Sequence, residues 1–185
     1  LILIDQKGRG ISGANVSLYK GEMLINSSLT DSQGVCHFVT LPVSNYTLVV
    51  YIIGYEVLRE NIMLTNDLTC NKTVEVYDLR IKVQSLLGFP EKGAPIKVIC
   101  FNNKTISLVT GDYGIAILKQ LPEGKYKIMI QCISFITQEV VLKEDTTIVV
   151  RLVTALDLIV LTVIILATVI ALLTVKRMRV KSVNW

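Results

Sequence analysis

The chain contains few of the residues from which enzymes and metal sites are built. Its 185 residues include one histidine, His37, and one tryptophan. A metal site needs several converging ligands. A serine–histidine or cysteine–histidine mechanism would depend on His37 alone, and the sequence contains no nucleophile elbow. We therefore expect no catalytic, metal-binding or cofactor-binding residue, no small-molecule substrate and no enzyme activity.

The chain also lacks the basic surface that binding to nucleic acid requires. Its formal net charge of +4 equals the charge of four cations in the last ten residues, Lys176, Arg177, Arg179 and Lys181. The preceding residues are close to neutral, so we expect no nucleic-acid partner. We expect the four cations to lie beside anionic lipid headgroups instead.

One long apolar run is present near the C-terminus. Residues 158–175, LIVLTVIILATVIALLTV, contain no charge, glycine or proline. At about 1.5 Å per residue this run is long enough to cross a bilayer as a helix; a buried core helix is the alternative. We predict a transmembrane helix over 155–175 and a basic cytoplasmic tail over 176–185, because lysine and arginine mark the cytoplasmic side. Residues 1–152 would then lie outside the cell or in a secretory lumen.

Two smaller features accompany this membrane prediction. Ala167 and Ala171 form a small-xxx-small pair that could admit another helix, although alanines at this spacing are common. No signal peptide is visible, and the first residues, LILI, already have the character of a strand. We therefore expect that a leader or further domains precede them.

Asparagine-linked glycosylation motifs give a separate indication of sidedness. Five of the eight asparagines before the apolar run begin an Asn-X-Ser/Thr sequon, more than chance placement would give. The five are Asn15, Asn26, Asn45, Asn71 and Asn103. Each triplet alone could be a polar turn, but together with the charge rule they predict a glycosylated exterior.

An internal repeat organises the rest of the chain. Residues 13–53 align without a gap on residues 93–133, with nine of 41 positions identical, including LPVSNY at 41–46 and LPEGKY at 121–126 as related phrases. Apolar residues alternate with polar ones within each copy, as in YKIMIQCI at 126–133, and this spacing of two is typical of strands. Short strands separated by Asp/Gly and Pro/Gly turns predict an all-β fold with two tandem seven-stranded sandwiches, at 1–77 and 78–152. We expect a linker of very few residues near Val76–Leu79 and a stiff rod.

These phrases resemble a known family. The segments GANV…TDSQGVCHFVTLPVSNYTLVVYIIGYE and GAPIKV…TGDYGIAILKQLPEGKYKIMI are similar to the carboxypeptidase regulatory-like domain, a transthyretin-like sandwich. The first copy has Ser44 where the family has a turn glycine, and the second has Ser134-Phe135 in place of Gly-Tyr. In this family Cys36 and Phe38 take core positions, so His37 between them should face solvent. The resemblance implies a folding, spacing or binding module without catalysis of its own.

Four cysteines could form two disulfides in an oxidising exterior. Cys100 and Cys132 both have inward parity and could face each other across a sandwich, which predicts a bridge; the alternative is two reduced core cysteines. Cys36 and Cys70 form the other pair within one repeat.

The sequence therefore predicts a non-catalytic, single-pass membrane protein with an extracellular structural or adhesive role. The alternative is an accessory subunit of a larger membrane complex, its sandwiches capping the outer face. The expected partners are other membrane or cell-surface proteins and the lipid bilayer.

Overall fold

The computed structural model describes residues 1–133 and 135–182, and over these residues the chain forms thirteen strands followed by one helix. The strands are β1 (Ile2–Asp5), β2 (Asn15–Lys20), β3 (Met23–Leu29), β4 (Ser44–Ile52), β5 (Tyr55–Leu64), β6 (Asn71–Val74), β7 (Val76–Ser85), β8 (Pro95–Cys100), β9 (Thr105–Val109), β10 (Ile115–Pro122), β11 (Gly124–Gln131), β12 (Phe135–Leu142) and β13 (Thr146–Leu152). The helix is α1 (Ala155–Ser182). The prediction of a mostly β chain with one C-terminal apolar helix is confirmed.

The strands form four sheets, two in each half of the β region. In the first half, an antiparallel sheet of order β3-β2-β4-β5 accompanies a parallel pair, β1-β6. In the second half, a sheet of order β12-β11-β8-β9 accompanies a sheet of order β10-β7-β13. The second half thus has seven strands, whereas the first has six, so seven strands in each half is not what the structure has.

Alternate residues of the strands build two apolar clusters. Val16, Leu18 and Leu48 are among the buried residues of the first cluster, and Ile96 and Ile128 belong to the second. Full burial of one such side chain contributes about 1.5–3 kcal/mol, so this alternation is what holds the sheets together.

The internal repeat is visible in individual hydrogen bonds. The hydroxyl of Thr30 accepts from the amide of Ala14 (2.9 Å) and donates to the carbonyl of Ile11 (2.6 Å). Thr110, eighty residues later, makes the same two bonds at the same distances, with Ala94 and Glu91. The matching residues in the two copies therefore have matching structural tasks.

The missing strand of the first half corresponds to β10. In the second half, β10 pairs along β7 from Lys82 back to Val76. In the first half Ile2, which is equivalent to Lys82, pairs with Val35, and Leu1 pairs with Cys36. Residues 37–43 are left without a ladder partner and adopt no strand.

The two halves are joined by a strand. One residue, Glu75, separates β6 from β7, and the predicted linker Val76–Leu79 lies inside β7. Val76 packs in the first apolar cluster and Leu79 in the second. Because one continuous strand enters both clusters, the junction has little freedom to bend.

Candidate functional site

The junction between the halves is closed by an arginine with two carboxylate partners. The Nη atoms of Arg9 donate to both oxygens of Asp78, at 2.8 and 3.0 Å, and its Nε donates to Asp5 at 2.7 Å. A planar guanidinium that engages a carboxylate through two parallel bonds is both strong and directional. Arg9 therefore fixes the turn after β1 against the start of β7.

A glutamine of the second half completes this contact. The side-chain nitrogen of Gln120 donates to Asp5 (3.2 Å) and to the carbonyl of Gly10 (3.1 Å), and its backbone amide donates to Asp78 (3.0 Å). Gln120 has a φ of 55° and lies where the β10–β7 register shifts. The bulge at this position turns the side-chain donor of Gln120 towards the first half, while its backbone amide faces Asp78 of β7.

Two further contacts flank the arginine. Lys7 forms an ion pair with Asp145, whose other oxygen accepts from the amide of Asp78 at 3.0 Å. The side-chain amide of Gln6 exchanges two hydrogen bonds with the backbone of Val76. We call these residues, Asp5, Gln6, Lys7, Arg9, Asp78, Gln120 and Asp145, the junction clamp.

The three carboxylates of the clamp are held in their charged form. The Arg9 guanidinium lowers the pKa of Asp78, and the amide of Asp78 together with Lys7 lowers that of Asp145. Burial would raise the pKa of Asp5, but bonds from Arg9, Gln120 and Lys7 outweigh it and leave the pKa below the ordinary 3.8.

Acid is expected to weaken the clamp. Because the folded-state pKa values of the three aspartates are depressed, their stabilisation is complete above the unfolded value near 3.8 and is lost as pH falls through the lower folded values. The free energy of unfolding, measured by denaturant titration, should therefore be steady from pH 7 to about 5 and fall below about pH 4. An Asp78→Asn variant should show a shallower fall. Identical pH profiles for the two proteins would contradict this role of Asp78.

A second contact joins the β region to the helix. Thr154 precedes the first residue of α1, and the carboxylate of Asp157 accepts from the Thr154 amide at 2.9 Å and hydroxyl at 3.1 Å. The same carboxylate accepts from the amides of Leu86 and Leu87, at 3.1 and 3.2 Å. Asp157 thus caps the helix and binds it to the turn after β7.

One turn of the repeat serves both contacts. Asp5 ends β1 and accepts from the amides two and four residues later at 2.9 Å. Ser85 ends β7 and accepts from the equivalent amides at 3.1 and 3.3 Å. The turn after β1 contacts the second half, and the equivalent turn after β7 contacts helix α1. The repeat therefore connects to whatever follows it through the same element.

Removal of the Asp157 carboxylate should loosen the helix from the sheets. In Asp157→Ala the amides of Leu86 and Leu87 lose their acceptor, while both apolar clusters are untouched. Distances between spin labels at Lys97 and Leu173, measured in detergent or nanodiscs, should broaden in this variant. Asp112→Ala, which removes a carboxylate from an exposed pair with Lys92, is the matched control and should leave them unchanged. Equal distributions of the label-to-label distance in the natural protein and both variants would show that Asp157 does not hold the helix.

A cavity of about 620 Å³ lies in the first half. Leu1, the unpaired residues 37–41 and residues 66–70 line it, with Leu18 and Leu48 at its base. His37 is exposed at its edge, as the sequence predicted for its parity. Over residues 1–133 and 135–182, no three histidine, cysteine, aspartate or glutamate side chains converge in a way that could hold a metal.

The predicted glycosylation sites are on the β region. Asn15, Asn45, Asn71 and Asn103 are exposed, and Asn26 is half-buried. Asn15 accepts a hydrogen bond from Ser27 at 2.6 Å. Glycosylation of the five asparagines stays a prediction.

The predicted disulfides are not present, and all four cysteines are free thiols. Cys100 lies opposite Tyr126, so Cys132 is six residues further along, about 20 Å away, whereas a disulfide needs Cα atoms within about 7 Å. The alternation of inward and outward residues correctly predicted that both cysteines face inwards, but it does not predict how far apart they lie along the strands. The backbone amide of Cys36 donates a hydrogen bond to Leu1, and the carbonyl of Cys70 accepts one from Ile2 on the other side. The first strand therefore lies between the two cysteines.

Helix α1 is long and apolar enough to cross a membrane over Ala155–Lys176, with mean hydropathy 3.1. The hydroxyls of Thr162, Thr168 and Thr174 donate to carbonyls of the preceding turn. Ala167 and Ala171 are exposed, and a contact through them stays a prediction. Lys176 is also exposed. The side chains of Arg177, Arg179 and Lys181, and the end of the predicted tail at 183–185, lie outside the described residues.

Several solved structures show weak similarity to this chain. The chain matches the shaft pilin SpaA from Lactobacillus rhamnosus GG (8% identity, TM-score 0.44, covering 84% of this chain and 97% of that one). It also matches GBS52, the minor pilin of Streptococcus agalactiae (13%, TM-score 0.37, 80% and 93%). A third match is the Bacillus anthracis TIE protein (15%, TM-score 0.36, 82% of this chain), of which the chain spans 32%.

TM-scores below 0.5 carry neither a shared function nor a close fold relationship to this chain. No family model and no curated protein matches the sequence. The similarity to carboxypeptidase regulatory-like domains therefore remains an interpretation of the sequence motifs.

Proposed function

We propose that the protein is a non-catalytic surface spacer, anchored in the membrane by α1, whose two β halves hold a contact surface at a fixed height and orientation outside the cell. The observation that carries this proposal is the unbroken series of directional contacts from the helix to the first half. Asp157 holds the helix to the second half, and Arg9 with Asp78 holds the second half to the first. Such contacts suit a part that must keep its orientation.

The non-catalytic part of the proposal is supported by the chemistry of the polar clusters. The carboxylates of the junction clamp are engaged by arginine, lysine and backbone amides, with their pKa values lowered. A general acid or base works best with a pKa near the working pH, and these groups are shifted away from it. The clamp has the properties of a structural ion-pair network.

The helix supports an anchor over a subunit of a larger complex. Its threonine hydroxyls are occupied by carbonyls of the helix itself, so they offer no free donor to a neighbouring helix. Interhelical hydrogen bonds and small-residue contacts are what hold membrane helices together. Among the described residues of α1, the small pair Ala167 and Ala171 is then the feature that favours the accessory-subunit function.

Isolation from native membranes tests the proposal. The protein would be extracted in mild detergent and crosslinked, once as the natural chain and once with residues 158–175 replaced by an unrelated apolar helix. A spacer should reach the surface and retain its partners in both forms. Stoichiometric recovery of a multi-span membrane protein, lost when the helix is exchanged, would overturn the spacer in favour of the subunit.

A further inference from the structure

The turn that follows β7 carries an exposed apolar tip. Leu86, Leu87 and Phe89 are 58%, 55% and 49% exposed, and the sequence from Ser85 to Pro90, SLLGFP, has no charged residue. Isolated exposed apolar side chains are ordinary, but three within four residues form a patch that water solvates poorly.

The position of this tip is fixed beside the membrane helix. The amides of Leu86 and Leu87 donate to Asp157, in the first turn of α1. Leu158 and Ile159, which begin the apolar run, are themselves exposed at 47% and 59%. The tip and the beginning of the run therefore form one apolar surface at one level.

The repeat shows that the fold does not require apolar residues in this turn. The equivalent turn of the first half reads DQKGRG, and Lys7 and Arg9 of this turn carry charges into the junction clamp. In both turns the equivalent amides donate to the side-chain oxygen of the residue that ends the strand, Asp5 or Ser85. The difference in polarity between the two turns therefore reflects what each turn faces.

We propose that the tip formed by Leu86, Leu87 and Phe89 enters the lipid leaflet on the side of the β region, next to α1, as a second membrane contact. This inference rests on the proposed anchoring by α1. One helix alone leaves the β region free to tilt on the membrane, whereas a second contact a few ångströms to its side fixes the tilt. Apolar side chains at the headgroup boundary favour such insertion.

Tryptophan fluorescence in nanodiscs can test the insertion. In a Trp185→Phe background, single tryptophans would be placed by Phe89→Trp at the tip, Leu166→Trp in the helix and Met63→Trp on β5, which is 70% exposed and far from the helix. Bromine-labelled lipids quench tryptophan only within the bilayer. We expect strong quenching and a blue-shifted emission at positions 89 and 166, and neither at 63.

The outcomes separate the two proposals. Quenching at 166 without quenching at 89 overturns the inserted tip and leaves the anchor intact. Absence of quenching at both positions overturns the anchor itself. If Leu86→Gln with Leu87→Gln leaves the quenching at 89 unchanged, the two leucines take no part in insertion and the tip as defined is wrong.

Discussion

Gly114→Ala should unfold the second half under conditions in which the natural protein is folded. A Cβ atom at Gly114 would lie 2.4 Å from the carbonyl oxygen of Val83 and 2.8 Å from the amide of Glu91, and its φ is +68°. The contacting atoms belong to the backbone, so no side chain can move aside. A positive φ costs alanine about 1–2 kcal/mol and the clash adds about 1–3 kcal/mol, a total of about 2–5 kcal/mol.

The repeat provides a control that separates these two costs. Gly93 has a φ of +75°, but a Cβ there would meet nothing within 4 Å. Gly93→Ala should therefore cost only the strain of the positive φ, about 1 kcal/mol. Denaturant unfolding followed by circular dichroism measures both. If the two variants are equally destabilised, the close approach to Val83 is not what requires glycine at 114.

The equivalent change in the first half tests how the halves depend on each other. A Cβ at Gly34 would lie 2.2 Å from the carbonyl oxygen of Leu3, and its φ is +80°. Gly34→Ala should expose amides of β2 and β4 to hydrogen exchange. If the halves unfold as one unit, Gly34→Ala will also expose β8 and β11; if they unfold separately, those strands will stay protected.

The sequence contained the information for the repeat because the repeat is local. Thr30 and Thr110, or Gly34 and Gly114, do the same work within one half, and an offset of eighty residues reveals them without any knowledge of packing. Alternating apolar residues likewise gave the strands and the face of each that is buried. Helix α1 followed from composition and length alone.

Features that depend on position along a sheet did not follow from the sequence. Parity identified Cys100 and Cys132 as inward-facing but could not show that they lie at opposite ends of neighbouring strands. The difference between the halves at 37–43 was also not predicted, because these residues resemble those of β10 but form no strand in the structure. A strand needs its neighbour as much as its own sequence.

The two contacts that hold the molecule together were also not predicted. Arg9 and Asp78 are 69 residues apart, and neither belongs to a motif. Asp157 was not singled out in the sequence, although its spacing from Thr154 is that of a helix cap. The spacing of Thr154 and Asp157 could have predicted the helix cap from the sequence. The contact of Asp157 with the turn at Leu86 could not be predicted in this way.

A large loss of stability is expected at the junction from Asp78→Ala. The carboxylate accepts two bonds from Arg9 and one from the amide of Gln120, and its side chain is 22% exposed. Bonds to charged groups are worth about 1.5–3 kcal/mol, reduced here because Arg9 is 37% exposed, so we expect a loss of about 2 kcal/mol. Asp112→Ala removes an exposed partner of Lys92 and should cost at most about 0.5 kcal/mol.

A double-mutant cycle separates the pair from the other bonds of Asp78. Arg9→Ala also leaves Asp5 without its guanidinium, and the Asp5 side chain is fully buried, so this change should cost at least as much as Asp78→Ala. The combined variant should lose clearly less than the sum of the two, with a coupling of about 1–2 kcal/mol. Arg9→Lys keeps the charge but lacks the planar fork, and we expect it to recover less than half of the loss. Strict additivity in the cycle, together with full recovery by lysine, would mean that charge near the junction suffices and that the paired geometry of Arg9 and Asp78 does not stiffen it.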